Sequence, residues 1–289
     1  MSRSIGDRYQ AYGLVAPAVI VLFGVAAYPI LLTGWLSLHR LILIFHDRSF
    51  IGLANYASLA RDARFWSSLA STAYFVGVAV PLELVVGLAF ALLLDSAVRG
   101  RSALRAAVLV PWAIPTVVSA KTWSYLFSAD YGGIVGKMFR GVDWVGTPGY
   151  AMHAAIFVDV WKTTPFVALL LLAGLQMIPA SVYEAARVDG ASAWRTFWQI
   201  KLPLIWMSVL IALLFRTLDA FRVFDSVYVL TQGGPANTTE TLSIYTYKTL
   251  MRSGDFGYGS TLAVATFFSV ALVSVLYLML FRRRLGGPV

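Results

Sequence analysis

The sequence predicts an all-α membrane protein with six spanning helices. Hydrophobic residues make up 59% of the 289-residue chain and charged residues only 13%, where soluble domains carry about 25% charge. Mean hydropathy is +0.74. The apolar residues gather into six runs, each near the roughly 20 residues that cross a hydrocarbon core. The absence of cysteine excludes disulfides and thiolate metal sites. A net charge of +9 raises nucleic-acid binding, but the arginines are scattered among apolar runs and form no single patch, so no nucleic-acid partner is expected.

Residues 1–11 are polar and include Arg3 and Arg8. The run 12–36 is too long for a signal-peptide core and lacks a small-residue cleavage site, so it reads as the first span. Further spans are expected at 67–94, 103–127, 151–177, 204–230 and 258–281. Together they form one transmembrane domain, 1–289, without an internal repeat or a separate soluble domain. Prolines 29, 81, 111, 115 and 165 fall inside spans, where each frees a carbonyl and can kink its helix.

Six spans put both termini on one side, and lysines and arginines choose which. One set of segments holds eleven: Arg3 and Arg8; Arg99, Arg101 and Arg105; Arg187, Arg195 and Lys201; Arg282, Arg283 and Arg284. The other set holds eight in longer segments: Arg40, Arg48, Arg61 and Arg64; Lys137 and Arg140; Lys248 and Arg252. The positive-inside rule therefore places both termini, and the loop 179–203, in the cytoplasm.

That loop, PASVYEAARVDGASAWRTFWQIKLP, is a long polar break with helical punctuation of its own. Ser181 and Glu184 have capping-box spacing, and Gly190 is placed to stop a helix of about two turns. Ser192 can cap a second short helix, from Ala193 to about Ile200, which Pro203 is expected to close. Helices this short are marginal in water. Either the pair lies on the headgroups or something outside holds it.

Glu184-Ala185-Ala186, Gly190 and Ile200-Lys201-Leu202-Pro203 resemble the cytoplasmic loop of permease subunits in binding-protein-dependent ABC importers. The resemblance implies a type I importer permease fold in a bacterial or archaeal cytoplasmic membrane. It implies that Glu184, Ala185, Ala186, Asp189, Gly190, Ile200, Leu202 and Pro203 couple the chain to an ATPase. The two alanines would admit another protein's surface, and Glu184 would meet a basic partner. The expected assembly adds a second permease subunit, two ATP-binding subunits and an extracytoplasmic substrate-binding protein. The chain itself is expected to bind no cofactor; ATP and magnesium belong to the ATPase. Phe50 to Trp66 and Leu230 to Pro235 resemble external segments of such permeases, and the ending Arg282-Arg283-Arg284-Leu285 resembles the first permease of a pair.

Eight ionisable residues fall inside the expected spans: Glu83, Lys121, Asp159, Lys162, Arg216, Asp219, Arg222 and Asp225. Facing lipid, each would cost roughly 2.5–3.5 kcal/mol near the bilayer centre. They must pair or face a polar interior. Arg216, Asp219, Arg222 and Asp225 alternate in sign every third residue and would draw a charged ribbon along the fifth span. In one reading this ribbon is a structural zipper. In the other, charged groups line a hydrated path and hydrogen-bond a polyhydroxylated solute, with aromatic rings stacking on its apolar face. The candidates for that path are Asp159, Trp161, Lys162, Asp219, Arg222, Asp225 and Tyr245, with Phe166, Phe221, Phe224 and Tyr247 as further rings. Val160 to Phe166 and Phe215 to Thr231 resemble the carbohydrate branch of these permeases, most closely those for trehalose- or maltose-like disaccharides. The rival reading is an ion-coupled secondary transporter that uses the same charges as a relay.

No catalytic frame is visible. Gly132 to Met138 glances at a phosphate loop, but Tyr131 stands where the first glycine belongs and Met138 where a hydroxyl residue binds magnesium. His39, His46 and His153 are dispersed without metal-ligand spacing. The chain is expected to be a transport subunit, not an enzyme.

Overall fold

The computed structural model describes residues 5–45, 47–96, 100–128, 133–138 and 142–285. Arg3, His46, Arg99, Tyr131, Gly132 and Arg140 lie outside the described residues. Four helices are long and apolar enough to cross a membrane: Tyr12–Leu36, Ala63–Asp95, Pro148–Gln176 and Phe256–Met279. Two bent helix pairs complete the set of six if each pair is one span: Ser102–Ala113 with Thr116–Phe127, and Ala193–Leu204 with Trp206–Phe221.

The folded chain forms two compact units. The first comprises residues 1–65 and 245–269. In the span Tyr12–Leu36, Pro29 has no N–H to give and crowds the preceding turn, and a π-helical turn at Phe23–Ala27 takes up the mismatch. Leu14, Ile20, Val25 and Leu31 on this span are all exposed; in a bilayer such a surface is covered by lipid or another chain. An antiparallel hairpin follows, His39–Ile42 with Asp47–Phe50, and His39 pairs with Phe50. Asn55 ties the hairpin's base by donating to the carbonyls of Ser37 (2.9 Å) and His39 (3.0 Å). At Gly257 an added Cβ would run into the His39 carbonyl oxygen, so only glycine lets that helix approach the hairpin.

The second unit comprises residues 66–244 and 270–289. The helix Pro148–Gln176 is the most enclosed of the long helices, with 61% of its apolar window buried. Small residues bring neighbouring backbones against it: Ala79, Ala154, Ala155 and Ala220 share one core with Phe75, Val158 and Val227, while Ala91 and Ala212 share another with Val167, Leu171 and Ile205. At Gly87 a Cβ would meet the Val167 side chain at 2.7 Å.

Two expected spans are not continuous helices. Ser102–Ala113 and Thr116–Phe127 meet at 91°. Ile114 is extended, with ψ 134°, because the Pro115 ring disfavours a helical residue before it. The run 204–230 divides as well: one helix ends at Phe221 and the next is Asp225–Thr231, with Phe224 at φ −136°, ψ −64° between them. The ribbon Arg216–Asp219–Arg222–Asp225 is therefore not one face of one helix, as its spacing had suggested.

Candidate functional site

Arg216 lies at the centre of the second unit's buried charge. Its side chain is 2% exposed and meets three carboxylates at once. Nε donates to Glu83 Oε2 at 2.5 Å and Nη2 to Glu83 Oε1 at 2.8 Å; Nη2 also reaches Asp159 Oδ2 at 3.0 Å, and Nη1 donates to Asp219 Oδ2 at 2.5 Å. Glu83, fully buried, also accepts from the Thr163 hydroxyl at 2.8 Å. The cluster joins the helices Ala63–Asp95, Pro148–Gln176 and Trp206–Phe221, and it satisfies groups that would be costly in lipid.

Beside the cluster opens a cavity of about 180 Å³, lined by Thr116, Asp159, Thr163, Asp219, Arg222, Phe224, Asp225 and Ser226 among others. The helix break at 222–224 builds part of this wall. Because the helix stops at Phe221, Arg222 and Asp219 reach the opening, 67% and 62% exposed and 3.8 Å apart. Phe224 lies flat on Tyr228, with ring centroids 5.0 Å apart and 14° between planes. Carboxylate acceptors, a guanidinium donor and hydroxyls that do both line one opening. That is the chemistry of a site for a solute bearing many hydroxyls.

Four of the seven path candidates meet at this cavity: Asp159, Asp219, Arg222 and Asp225. The other three lie elsewhere. Trp161 packs edge-on against Trp123, 5.5 Å away. Lys162 donates to the carbonyls of Ile114 (2.7 Å) and Trp112 (3.3 Å) at the 91° bend. Tyr245 belongs to the first unit, where it and Tyr258 donate to Asp62 Oδ2 at 2.7 and 2.6 Å and Arg64 lies over its ring. Burial alone would raise the Asp62 carboxyl, but these hydroxyls and the amides of Arg64 and Phe65 hold it below its ordinary value. Burial, and then the bond to Asp62, push the Tyr245 hydroxyl up. Among the further rings, Phe166 stacks on Trp112 and Phe221 is buried; Phe224 alone of the four lines the cavity. Thr116, Thr163 and Ser226 escaped the sequence reading because hydroxyl residues are common in spans. Glu83 and Arg216 stood out as charges, but their pairing across 133 positions left no local signal.

The loop 179–203 forms two short helices, as expected, with differences at its start and at its end. Ala180–Val188 is capped by Pro179, with no side-chain cap bond, so Ser181 lies inside the helix and the capping box does not form. Gly190 stops it at φ +70°, and Gly190 N to Arg187 O (3.1 Å) and Ala191 N to Ala186 O (2.9 Å) complete a Schellman motif. Ser192 caps the second helix by accepting from the Arg195 amide. That helix runs on through Pro203 to Leu204. A π turn at Phe197–Lys201 comes just before Pro203, which stands at N1 or N2 of the short α-helical stretch Leu202–Leu204 that follows that turn. The 65° bend comes at Ile205 instead.

Glu184, Ala185, Asp189, Gly190 and Pro203 are exposed on this loop, and Ile200 and Leu202 are half-buried. Ala186 is buried at 6%, so it faces its own chain and only Ala185 is free to meet another surface. Trp194 and Trp198, 5.5 Å apart, stand well exposed on the second helix. A cleft of about 910 Å³ borders the loop, with Asp95, Tyr183, Arg187, Trp194, Phe197 and Lys201 in its wall. There Lys201 lies 3.7 Å from Asp95 and over the Tyr183 ring.

Comparison with known proteins agrees with this architecture. Residues 83–286 match the family described as binding-protein-dependent transport system inner membrane component. The chain is 43% identical over 279 residues to the trehalose/maltose transport system permease protein MalF of Thermococcus litoralis, covering 94% of each chain. It is 41% identical over 278 residues to the trehalose transport system permease protein SugA of Mycobacterium tuberculosis, covering 96% of this chain and 90% of that one. A chain of a bacterial alginate ABC transporter, crystallised with its alginate-bound periplasmic protein, superposes with a TM-score of 0.83 over 99% of this chain and 98% of its own, at 19% identity. That likeness carries the fold of an ABC importer permease. The family match over most of the chain and the close relatives over nearly all of it agree: this protein belongs to the binding-protein-dependent transport system inner membrane component family.

Proposed function

We propose that the chain is the membrane-spanning subunit of an ATP-driven carbohydrate importer, with both compact units forming one permease domain over 1–289. The observation that carries the reading is the cavity beside Arg216, where Asp159, Asp219, Asp225 and Arg222 stand among hydroxyl residues and the Phe224 ring. The close relatives are permeases for trehalose and maltose, and a neutral disaccharide of that kind is the proposed solute. About 180 Å³ is too small for such a molecule, since drug-sized ligands occupy roughly 300–1,000 Å³. The rest of the wall comes from a second, related permease.

In this reading both termini and the loop 179–203 are cytoplasmic, following the distribution of lysine and arginine. Two ATP-binding subunits grip the loop through Glu184, Ala185, Asp189, Gly190 and the half-buried Ile200 and Leu202, with Pro203 beside them. Ala186 supports the helix from behind. ATP and magnesium reside in those subunits, and an extracytoplasmic binding protein delivers the sugar to the other face. Only three residues separate the helix Pro148–Gln176, which carries Asp159, from Ala180 of the loop. A shift of the loop therefore pulls directly on the cavity wall, as a rigid-body exchange between outward and inward access requires. Membership in a binding-protein-dependent family leaves the ion-coupled alternative without support.

The test is reconstitution of this chain with its second permease and ATPase in liposomes. Trehalose- or maltose-loaded binding protein is expected to stimulate ATP hydrolysis and uptake together. Uptake by this chain alone, driven by a proton or sodium gradient without ATP, would overturn the proposal.

A further inference from the structure

Lys162 sits between two residues that serve the cavity, Asp159 and Thr163, yet its own ammonium is directed elsewhere. The residue is 9% exposed and donates to Ile114 O at 2.7 Å and to Trp112 O at 3.3 Å. Those carbonyls end the helix Arg101–Ala113, whose last turn has no helical donors of its own. A cation at a helix C-terminus is favourable, and a buried ammonium needs such acceptors. One turn further along the Lys162 helix, Phe166 stacks on Trp112 with 21° between planes, a second grip on the same segment.

What the grip controls is Thr116. Ile114 is extended, Pro115 has no N–H, and Thr116 opens the next helix at 91° while lining the cavity. The chain between the two helices has no helical bond to fix its direction, so the tether on the Ile114 carbonyl does. We propose that Lys162 is a positioning residue for the solute cavity: by holding the Ile114 and Trp112 carbonyls it sets the bend and thereby the place of Thr116 in the wall. The inference rests on the cavity being the solute site, and its test separates the two.

In the assembled transporter, half-saturating solute concentration and maximal uptake rate are measured for Lys162→Met, Thr116→Val and the double variant. Lys162→Met keeps the stem and removes the ammonium. It is expected to raise the half-saturating concentration about tenfold, as for one lost charged hydrogen bond, with the maximal rate within about twofold. Thr116→Val is expected to act similarly, and the double variant to be no worse than the worse single one, since both changes break one linkage. Lys162→Arg, whose guanidinium also donates to carbonyls, recovers most of the affinity. Unchanged half-saturation in Lys162→Met, or effects that multiply in the double variant, would overturn the proposal. Should Lys162→Met not assemble, Lys162→Gln is read the same way. If Thr116→Val and Asp219→Asn both leave half-saturation untouched, the solute cavity itself is misplaced and the role of Lys162 falls with it.

Discussion

Glu83 and Arg216, 133 positions apart, meet in a two-bond fork: Nε on Oε2 at 2.5 Å and Nη2 on Oε1 at 2.8 Å, with both side chains almost completely buried. The fork is the planar match that arginine makes with a carboxylate and lysine does not. It also leaves Nη1 for Asp219 and a second bond from Nη2 for Asp159, so the buried pair orients the two carboxylates that face the cavity.

Removing the guanidinium alone strands three carboxylates. Arg216→Met is expected to destabilise the chain by about 3–5 kcal/mol, the usual result of breaking a buried ion pair from one side. Glu83→Met with Arg216→Met is expected to recover part of that loss, because the fully buried charges leave together. The thermal midpoint of the detergent-solubilised protein measures both. A double variant less stable than Arg216→Met would show that the pair does not act as a unit.

Gly190 makes a different kind of prediction, because the backbone alone decides it. At φ +70° an added Cβ meets nothing within 4 Å, so the penalty of a side chain there is conformational and falls on the Schellman stop. Gly190→Val is expected to lose co-purification with the ATP-binding subunits, while the stability of the spanning helices changes by about 1–2 kcal/mol or less. Full retention of the ATPase would separate the loop's shape from its partner.

Acid should loosen the Asp62 knot in the first unit. The Asp62 carboxyl lies below its ordinary 3.8 in the folded chain, held by Tyr258 and Tyr245 against burial. A lowered folded value means that its stabilisation is complete above the unfolded value and is lost as pH falls through the folded one. Proteolysis of the 39–50 hairpin is therefore expected to be flat down to about pH 4 and to rise below it. Asp62→Asn is expected to remove that acid dependence. Tyr245→Phe or Tyr258→Phe should weaken it, because each deletes a bond to the ionised form and raises the folded value toward the unfolded one.

Much of this molecule was legible before folding. Four spans fall within a few residues of their apolar runs because length and hydropathy alone define them. Gly190 and Ser192 act where the sequence placed them because a stop glycine and a cap serine work locally. The misreadings share a cause: each depends on a neighbour distant in sequence or on a competing local group. Asp219 and Asp225 fit one helical face by spacing, yet the helix ends at Phe221 and they meet across a break. Lys162 reads as a solute-path residue by its place in the span, yet its ammonium goes to carbonyls about fifty positions back. Ser181 and Glu184 have capping-box spacing, but the helix is capped at Pro179, two residues too early for that box.

The central claim is that the cavity beside Arg216 holds the solute, and Asp219→Asn tests it most directly. Its carboxylate is 62% exposed at the opening, so the change removes a charge without emptying a core. Solute uptake and ATP hydrolysis are measured side by side in the reconstituted complex. Uptake is expected to fall at least about tenfold, as for a lost charged hydrogen bond, while the complex assembles normally and ATP hydrolysis remains measurable. Uptake at the unaltered rate and affinity would contradict the account.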